Sequence, residues 1–172
     1  MADVFIGITL PEDFHQEVEV WRRRFAAPKT VPHITVIPPF RWPASRDDLE
    51  EEVKKSLEGL SPFLVATNGV GRFGRRVIFI AVAPSPAIMA LHQKLRKGLS
   101  LEDERRGRGR PYHPHITLAT RLSPGEFNTY VEELAGYEPQ EEFTCGHVAI
   151  FKMVTQGSIR RWQVWKEVPL LG

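Results

Sequence analysis

The sequence predicts an α+β protein, a single domain with two lobes in which two antiparallel-rich β-sheets face each other across a central cleft, with helices outside. Two observations predict it. The order strand, helix, His-x-Thr strand, helix, strand occurs twice in the 172 residues. The first strand of each series stops at a proline, Pro11 or Pro84. Such a duplication predicts a pseudo-two-fold arrangement, with lobes of about residues 1–75 and 76–172 and an exchange of terminal strands left open.

The elements of the first half follow from the spacing of its apolar residues. Short runs rich in β-branched and aromatic residues indicate strands, and three-and-four spacing indicates amphipathic helices. Pro38 and Pro39 are expected to end the second strand, and Ser45 or Asp47 can cap the helix that follows. These patterns predict strands over residues 4–10, 33–37 and 63–70, and helices over residues 12–25 and 45–57.

The second half repeats this order with a longer connection before its His-x-Thr strand. The additional length falls in the Arg- and Gly-rich segment between Leu101 and Tyr112. Ser123 is followed by Pro124, and proline is favourable at the first position of a helix. We therefore expect strands over residues 77–83, 115–119, 142–153 and 161–168, and helices over residues 88–99 and from residue 123 onward.

Composition and charge exclude several classes of protein. Hydrophobic residues make up 42% of the chain, enough to form a core, and a net charge of +2 does not indicate a nucleic-acid packaging protein. Cys145 is the single cysteine, so an intrachain disulfide and a thiolate metal cluster are both excluded. No window approaches the roughly 18 apolar residues that cross a bilayer. We expect a cytoplasmic protein that does not enter a membrane.

Two near-identical motifs carry the chemistry. They are Pro32-His33-Ile34-Thr35-Val36 and Pro114-His115-Ile116-Thr117-Leu118. Residues two apart on a strand point to the same face, so each histidine shares a face with its threonine while the aliphatic residues face the core. If the two lobes face each other, two imidazoles and two hydroxyls converge on one cleft.

This set fits transfer at a phosphodiester. One group must take a proton from the nucleophile and another must protonate the departing oxygen, and histidine titrates close enough to neutral pH to do either. Threonine hydroxyls can hydrogen-bond the non-bridging oxygens. The motifs contain no carboxylate-rich ligand cluster, and His113-x-His115 lacks an evident third ligand. We expect neither a metal nor another cofactor.

The paired motifs resemble the signature of the 2H phosphoesterase superfamily, whose members carry two His-x-Thr/Ser-x motifs. The group includes LigT-type proteins called 2'-5' RNA ligases or RNA 2',3'-cyclic phosphodiesterases. The resemblance covers most of the chain and implies that His33, Thr35, His115 and Thr117 are catalytic or phosphate-binding. It also implies opening of the cyclic phosphate at the 3' oxygen, with a 2'-phosphate as product.

The same resemblance suggests individual roles. His33 would protonate the 3' leaving oxygen and His115 would activate water, with the reverse assignment left open. An arginine commonly follows the second motif in LigT-like proteins and helps to bind phosphate; Arg121 stands in that region. The first motif continues Ile37-Pro38-Pro39-Phe40 rather than toward the more usual Leu-Gly, a departure that concerns the substrate more than the chemistry.

Further residues are candidates for contact with the nucleic acid. Arg106, Arg108 and Arg110 lie in the most concentrated positive charge of the chain and could bind RNA phosphates; a solvated loop is the alternative. Phe40 and Tyr112, next to the two motifs, could stack on a base, with core packing as the alternative.

The leading hypothesis is a metal-independent RNA 2',3'-cyclic phosphodiesterase. Its expected partners are RNA or nucleotides with 2',3'-cyclic phosphate ends, and a monomer is expected. The alternatives are a 2'-5' RNA ligase, an enzyme acting on another cyclic or 2'-5' linked nucleotide, and an RNA-end-binding protein without turnover.

Overall fold

The structure is a computed structural model that describes residues 2–25, 29–101 and 111–172. In this part of the chain, no helix is long and apolar enough to cross a membrane. The elements are β1 (Ala2–Thr9), α1 (Glu12–Phe25), β2 (His33–Trp42), α2 (Arg46–Ser56), β3 (Phe63–Phe73), β4 (Val77–Val82), α3 (Pro86–Gly98), β5 (His115–Ala119), α4 (Pro124–Glu133), β6 (Glu142–Cys145), β7 (His147–Gln156) and β8 (Ile159–Pro169).

The α+β class and the antiparallel strand arrangement are confirmed. The strands follow the order β6-β3-β4-β5-β2-β1-β7-β8 in a curled eight-stranded sheet. One half of the sheet consists of β6, β3, β4 and β5, and β5 carries the second motif. The other half consists of β2, β1, β7 and β8, and β2 carries the first motif. One backbone pair, Ile34 with Ile116, joins these halves between β2 and β5. Each motif therefore lies on a central strand, with the other motif beside it.

The two faces of the sheet have different roles. One face carries the main core, in which buried residues of all four helices pack against the strands. Ile34 and Ile116 lie in that core. The other face carries a smaller cluster formed by Phe5, Ala149 and Phe151. Because the helices occupy the core face, the second face is the one that can accept a substrate.

Helix starts agree with the capping signals in the sequence. Ser45 caps α2 and Ser123 caps α4, each in a reciprocal capping box with the residue three positions later. Ser85 caps α3 ahead of Pro86. These caps satisfy backbone N–H groups that the first helical turn leaves without partners. They fix where these three helices begin on the core face of the sheet.

Strand β2 is longer than the sequence indicates. We expected Pro38 and Pro39 to end it, but β2 continues to Trp42 alongside β1. The two prolines lie opposite the single residue Phe5, as in a β-bulge. Proline cannot donate to a neighbouring strand, which is tolerated at bulges and along edges. β5 pairs with β2 only at Ile34, so in the described part of the chain no strand pairs with the outer side of this end of β2.

The strand expected over residues 142–153 is two strands. β6 ends at Cys145 and pairs with β3, whereas β7 begins at His147 and pairs with β1 and β8. Gly146 separates them, and its carbonyl accepts from the Leu170 N–H at 2.8 Å. The chain therefore passes from one half of the sheet to the other at Gly146. A continuous run of strand-forming residues does not reveal a change of pairing partner.

Candidate active site

The two His-x-Thr motifs lie side by side on the face away from the main core. Ile34 and Ile116 are fully buried, whereas the flanking histidines and threonines are half-buried. In an antiparallel pair, the neighbours of a bridge face each other across the strands. The pair of Ile34 with Ile116 therefore directs His33 toward Thr117 and Thr35 toward His115.

Both imidazoles are held in the same way. Nδ1 of His33 lies 2.8 Å from the Val31 carbonyl, and Nδ1 of His115 lies 2.7 Å from the His113 carbonyl. A carbonyl can only accept, so Nδ1 carries the proton and Nε2 of the neutral ring is the basic nitrogen. The Thr35 hydroxyl lies 3.1 Å from Nε2 of His33 and donates to it. Each motif thus fixes one tautomer with a carbonyl two residues upstream.

Phenylalanine rings surround both imidazoles. His33 packs near Phe5 and Phe151, with ring centroids 4.9 and 5.4 Å away. His115 packs near Phe73 and Phe79, at 5.0 and 5.1 Å. In each half, one phenyl ring comes from the strand paired with the motif and the other from the next strand. The surroundings of the two histidines therefore repeat in the two halves of the sheet.

This apolar packing changes the basicity of the imidazoles. Burial lowers the pKa of His33 to about 4, opposed by the Val31 hydrogen bond and supported by the positive charges of Arg22 and His115. Burial also lowers the pKa of His115, opposed by the hydrogen bond to the His113 carbonyl and supported by the charge of the His113 imidazole. Both rings are neutral at neutral pH and ready to accept a proton at Nε2. A bound phosphate anion would favour their charged forms.

One small residue beside the first motif was not identified from the sequence. Gly7 lies opposite Thr35 on β1. A Cβ atom there would be 2.8 Å from the Ile34 carbonyl oxygen and 3.5 Å from Cδ2 of His33. Phe5, Phe73, Phe79 and Phe151 were also missed. Their role depends on strand pairing between distant segments, and only the similar apolar strands that begin each half hint at it.

Phe40 and Tyr112 have geometries that support packing roles. Phe40 lies opposite Val4, a core residue, and packs against the main core rather than beside the imidazoles. The Tyr112 hydroxyl donates to the Thr35 carbonyl at 2.8 Å, and its ring stacks on His92 with centroids 4.1 Å apart. Tyr112 therefore contacts the backbone of the first motif, from within the protein.

The predicted arginines are divided between two segments. Arg121 is exposed just after β5, with a positive φ of 55°, and the next residue, Leu122, donates its N–H to the Arg76 carbonyl. This contact ties the loop after the second motif to the turn between β3 and β4. Arg106, Arg108 and Arg110 lie outside the described residues.

Within residues 2–25, 29–101 and 111–172, no group of three or more His, Cys, Asp or Glu side chains is placed to hold a metal ion. His113 is exposed, and its ring centroid is 6.1 Å from that of His115. The reactive groups that the structure brings together at the motifs are the imidazoles and the threonine hydroxyls.

Comparison with known proteins agrees with this geometry. The family model of the 2'-5' RNA ligase superfamily matches residues 10–157. "Putative phosphoesterase SH1944" from Staphylococcus haemolyticus is 30% identical over 146 residues, which cover 80% of this chain and 84% of that protein. The crystal structure of TT0787 from Thermus thermophilus is similar with a TM-score of 0.72 and 22% identity, covering 99% of this chain and 98% of the other.

A second structure has the same fold. Escherichia coli LigT, crystallised with 3'-AMP, has a TM-score of 0.66 and 20% identity, covering 99% of each chain. The matched family region contains both His-x-Thr motifs. The chain belongs to the 2'-5' RNA ligase superfamily of 2H phosphoesterases.

Proposed function

We propose that this protein hydrolyses 2',3'-cyclic phosphate ends of RNA to 2'-phosphates, using His33 and His115 for proton transfer and Thr35 and Thr117 to hold the phosphate. The main support is the repeated geometry of the two imidazoles. Each Nδ1 is bound to a carbonyl, which leaves Nε2 as the basic nitrogen. The pairing of Ile34 with Ile116 puts both histidines on the face of the sheet away from the main core. LigT was crystallised with 3'-AMP, a nucleotide that carries its phosphate on the 3' oxygen of the ribose.

The reaction requires one proton to leave water and another to reach the sugar. The water oxygen forms a bond to phosphorus as one imidazole takes its proton at Nε2. The bond from phosphorus to O3' breaks as the other imidazole, already protonated, gives its proton to O3'. The product carries a 2'-phosphate and a 3'-hydroxyl. Opposed proton donor and acceptor suit the in-line geometry of this displacement.

The lowered pKa values are compatible with this cycle. At neutral pH, a neutral imidazole is the required form of the base, and the depressed pKa values keep both rings in it. The acid must be protonated, and an anionic phosphodiester beside it raises its pKa. The negative charge of the substrate thus compensates for burial at the moment the acid is needed. We keep His33 as the proposed acid and His115 as the proposed base.

A nitrophenyl phosphodiester distinguishes these roles, because its leaving group departs without needing a proton. If His33 is the acid, His33→Ala should lose far more activity on the cyclic nucleotide than on the nitrophenyl ester. His115→Ala should lose activity on both, since the base is needed in either case. The opposite pattern would assign the roles in reverse and leave the reaction unchanged.

The principal test is an assay on an oligonucleotide ending in a 2',3'-cyclic phosphate, with EDTA present. We expect release of a 2'-phosphate end by the natural protein and losses of about 100-fold or more for His33→Ala and His115→Ala, the size usual for a removed general acid or base. His15→Ala, which changes a histidine of α1 outside the motifs, is the matched control. Unchanged activity of either motif variant would contradict the catalytic proposal.

The family model gives specific support to one second function, 2'-5' ligation. In ligation, the 5'-hydroxyl of another RNA would replace water as the nucleophile, with the same two imidazoles transferring protons. Adding a second RNA with a 5'-hydroxyl to the assay separates the two. A longer product with a 2'-5' bond would indicate ligation, whereas exclusive formation of the 2'-phosphate would indicate hydrolysis.

The proposed substrate is an RNA chain rather than a mononucleotide because exposed arginines lie in or next to the half of the sheet that carries the second motif. Arg72 and Arg75 line a groove of about 780 Å³, and their guanidinium carbons lie 5.6 and 5.5 Å from the Phe127 ring centroid. Phe73, the neighbour of Arg72 on β3, contacts His115. Successive side chains of a strand point to opposite faces, so Arg72 and the groove lie on the helix side of the sheet, away from the imidazoles. With Arg121, which is exposed after β5, Arg72 and Arg75 form a basic rim that could bind phosphates of an RNA chain away from its reacting end.

The rim can be tested by its salt dependence. The double variant Arg72→Gln/Arg75→Gln should reduce the slope of log affinity against log salt for a single-stranded RNA by about 1.4, from roughly 0.7 per phosphate contact. Cleavage of a mononucleoside cyclic phosphate should be unchanged. Arg160→Gln/Arg161→Gln, on exposed arginines at the start of β8, is the control of equal charge. Equal slopes in both variants would exclude the rim.

A monomeric state and a cytoplasmic location stay predictions.

A further inference from the structure

Strands β2 and β5 pair at one position and then separate. The pair is Ile34 with Ile116. In the same register Pro114 would stand opposite Val36, and proline has no N–H to donate to the Val36 carbonyl. The Pro114 carbonyl instead accepts from the N–H of Val82 in β4, at 3.3 Å. The strand ladder between the two motifs therefore cannot continue in this direction.

Two side chains bind the carbonyls of β2 at this point. The Tyr112 hydroxyl donates to the Thr35 carbonyl at 2.8 Å, and Nδ1 of His92 donates to the Val36 carbonyl at 2.8 Å. The two rings stack with centroids 4.1 Å apart and planes at 7°. Tyr112 precedes β5, and His92 lies on α3. The pair thus joins α3, β2 and the segment that leads into the second motif.

We propose that Tyr112 and His92 form a positioning pair that sets the separation of the two catalytic motifs. Neighbouring strands in a continuous ladder lie about 4.8 Å apart, and side chains inserted between backbones require a wider gap. The Tyr112 hydrogen bond runs directly from the residue three positions before His115 to the threonine of the first motif. This inference rests on the proposed function, because it assigns the pair to the same phosphoesterase site.

The expected effect is on catalysis more than on binding. The acid and the base must stand on opposite sides of phosphorus, and a displacement of about 1 Å can cost about 100-fold in rate. Neither Tyr112 nor His92 needs to touch the substrate for this effect. Loss of the pair should therefore lower kcat and change the pH profile, while KM changes little.

Tyr112→Phe is the principal variant, since it keeps the ring and removes the hydroxyl donor. Its matched control is Tyr130→Phe, because the half-buried Tyr130 hydroxyl also donates to a backbone carbonyl, that of Phe25, at 2.9 Å. We expect similar small decreases in Tm for both variants. Only Tyr112→Phe should lower kcat, by about 10-fold or more, and shift the pH profile.

His92 provides an independent pair of variants. His92→Asn keeps an N–H donor close to the place of Nδ1, whereas His92→Ala removes the donor and the ring. We expect His92→Asn to retain more of the natural kcat than His92→Ala. Equal kcat values for these two variants would overturn the role of the Val36 hydrogen bond, and this comparison serves even if Tyr112→Phe does not fold.

The outcomes separate this inference from the proposed function. If the natural protein cleaves the cyclic phosphate and Tyr112→Phe equals Tyr130→Phe in kcat and pH profile, the positioning pair is refuted and the function stands. If the natural protein has no such activity, the proposed function fails. The positioning role of Tyr112 and His92 is then tested by the NMR chemical shifts of the His33 and His115 imidazoles. Shifts unchanged in Tyr112→Phe would refute the pair; shifts changed there and not in Tyr130→Phe would support it.

Discussion

Replacement of Gly7 by alanine tests whether the close packing of β1 against β2 positions the first motif. A Cβ at residue 7 would lie 2.8 Å from the Ile34 carbonyl oxygen, and 3.5 Å from both Cδ2 of His33 and Cε2 of Phe151. The closest atom belongs to the backbone, so no side-chain rotation can relieve the contact. β1 and β2 must move apart by several tenths of an ångström beside His33.

The cost of this change follows from overpacking a tightly packed site. Inserting a methyl group where the backbone must shift costs typically about 1–3 kcal/mol, which corresponds to a decrease in Tm of roughly 2–12 °C for a chain of this size. The displacement of His33 should also lower kcat by about 10-fold or more, because proton transfer depends on sub-ångström placement. Thermal unfolding and the cyclic phosphate assay measure the two effects.

Gly125 provides the matched control. It lies in α4 with no atom within 4 Å of an added Cβ, so Gly125→Ala should be neutral or stabilise the protein by up to about 1 kcal/mol. The result that would refute this reasoning is a Gly7→Ala protein with the Tm and kcat of the natural one. A protein that loses stability but keeps its kcat would confine the role of Gly7 to folding.

Three further predictions concern charge. His33→Gln should make the stability of the protein less sensitive to acid. The pKa of His33 is lowered to about 4 in the folded protein, so the unfolded chain binds more protons between pH 6.5 and about 4, and the natural protein loses up to about 3 kcal/mol of stability as the pH falls through that window. Urea titrations of the variant should not show this loss. Arg22→Met should lower the free energy of unfolding by about 3 kcal/mol, because it leaves Glu19 without its close partner at 2.6 Å. It should also raise the pKa of His33 measured by NMR, because the charge of Arg22 lowers that pKa. Arg23→Met, which changes an exposed arginine 3.5 Å from the same carboxylate, should have neither effect. Cys145 is buried and burial raises its pKa to about 11, so alkylation followed by mass spectrometry should modify it only on unfolding; rapid labelling of the folded protein would contradict this.

The side of each motif that faces away from the main core could be predicted from the sequence because it depends on local alternation. Ile34 and Ile116 indicate which side of each motif is buried, and the histidines then share the other side with their threonines. Gly146 illustrates what local patterns miss, since the residues on both sides of it favour strands while their partners lie in different halves of the sheet. The role of Gly7 is likewise invisible until the Ile34 carbonyl is placed beside it.

The surroundings of His33 and His115 connect their low basicity with the binding of an anion. Phenylalanine packing lowers both pKa values by withdrawing the rings from water, so each ring accepts a proton reluctantly until a negative charge lies nearby. An anion that binds between the rings should raise at least one of these pKa values and carry a proton into the site. Its affinity should therefore increase as the pH falls from 8 to 6.

Sulfate is a suitable probe because its own charge does not change in this range. Histidine NMR titrations with and without saturating sulfate should show a raised pKa for His33, His115 or both. Calorimetry in two buffers with different enthalpies of ionisation should detect the proton taken up on binding. Pairs of titration curves that coincide at saturating sulfate would mean that anions do not bind between the imidazoles, and the proposed use of substrate charge to protonate the acid would fail with them.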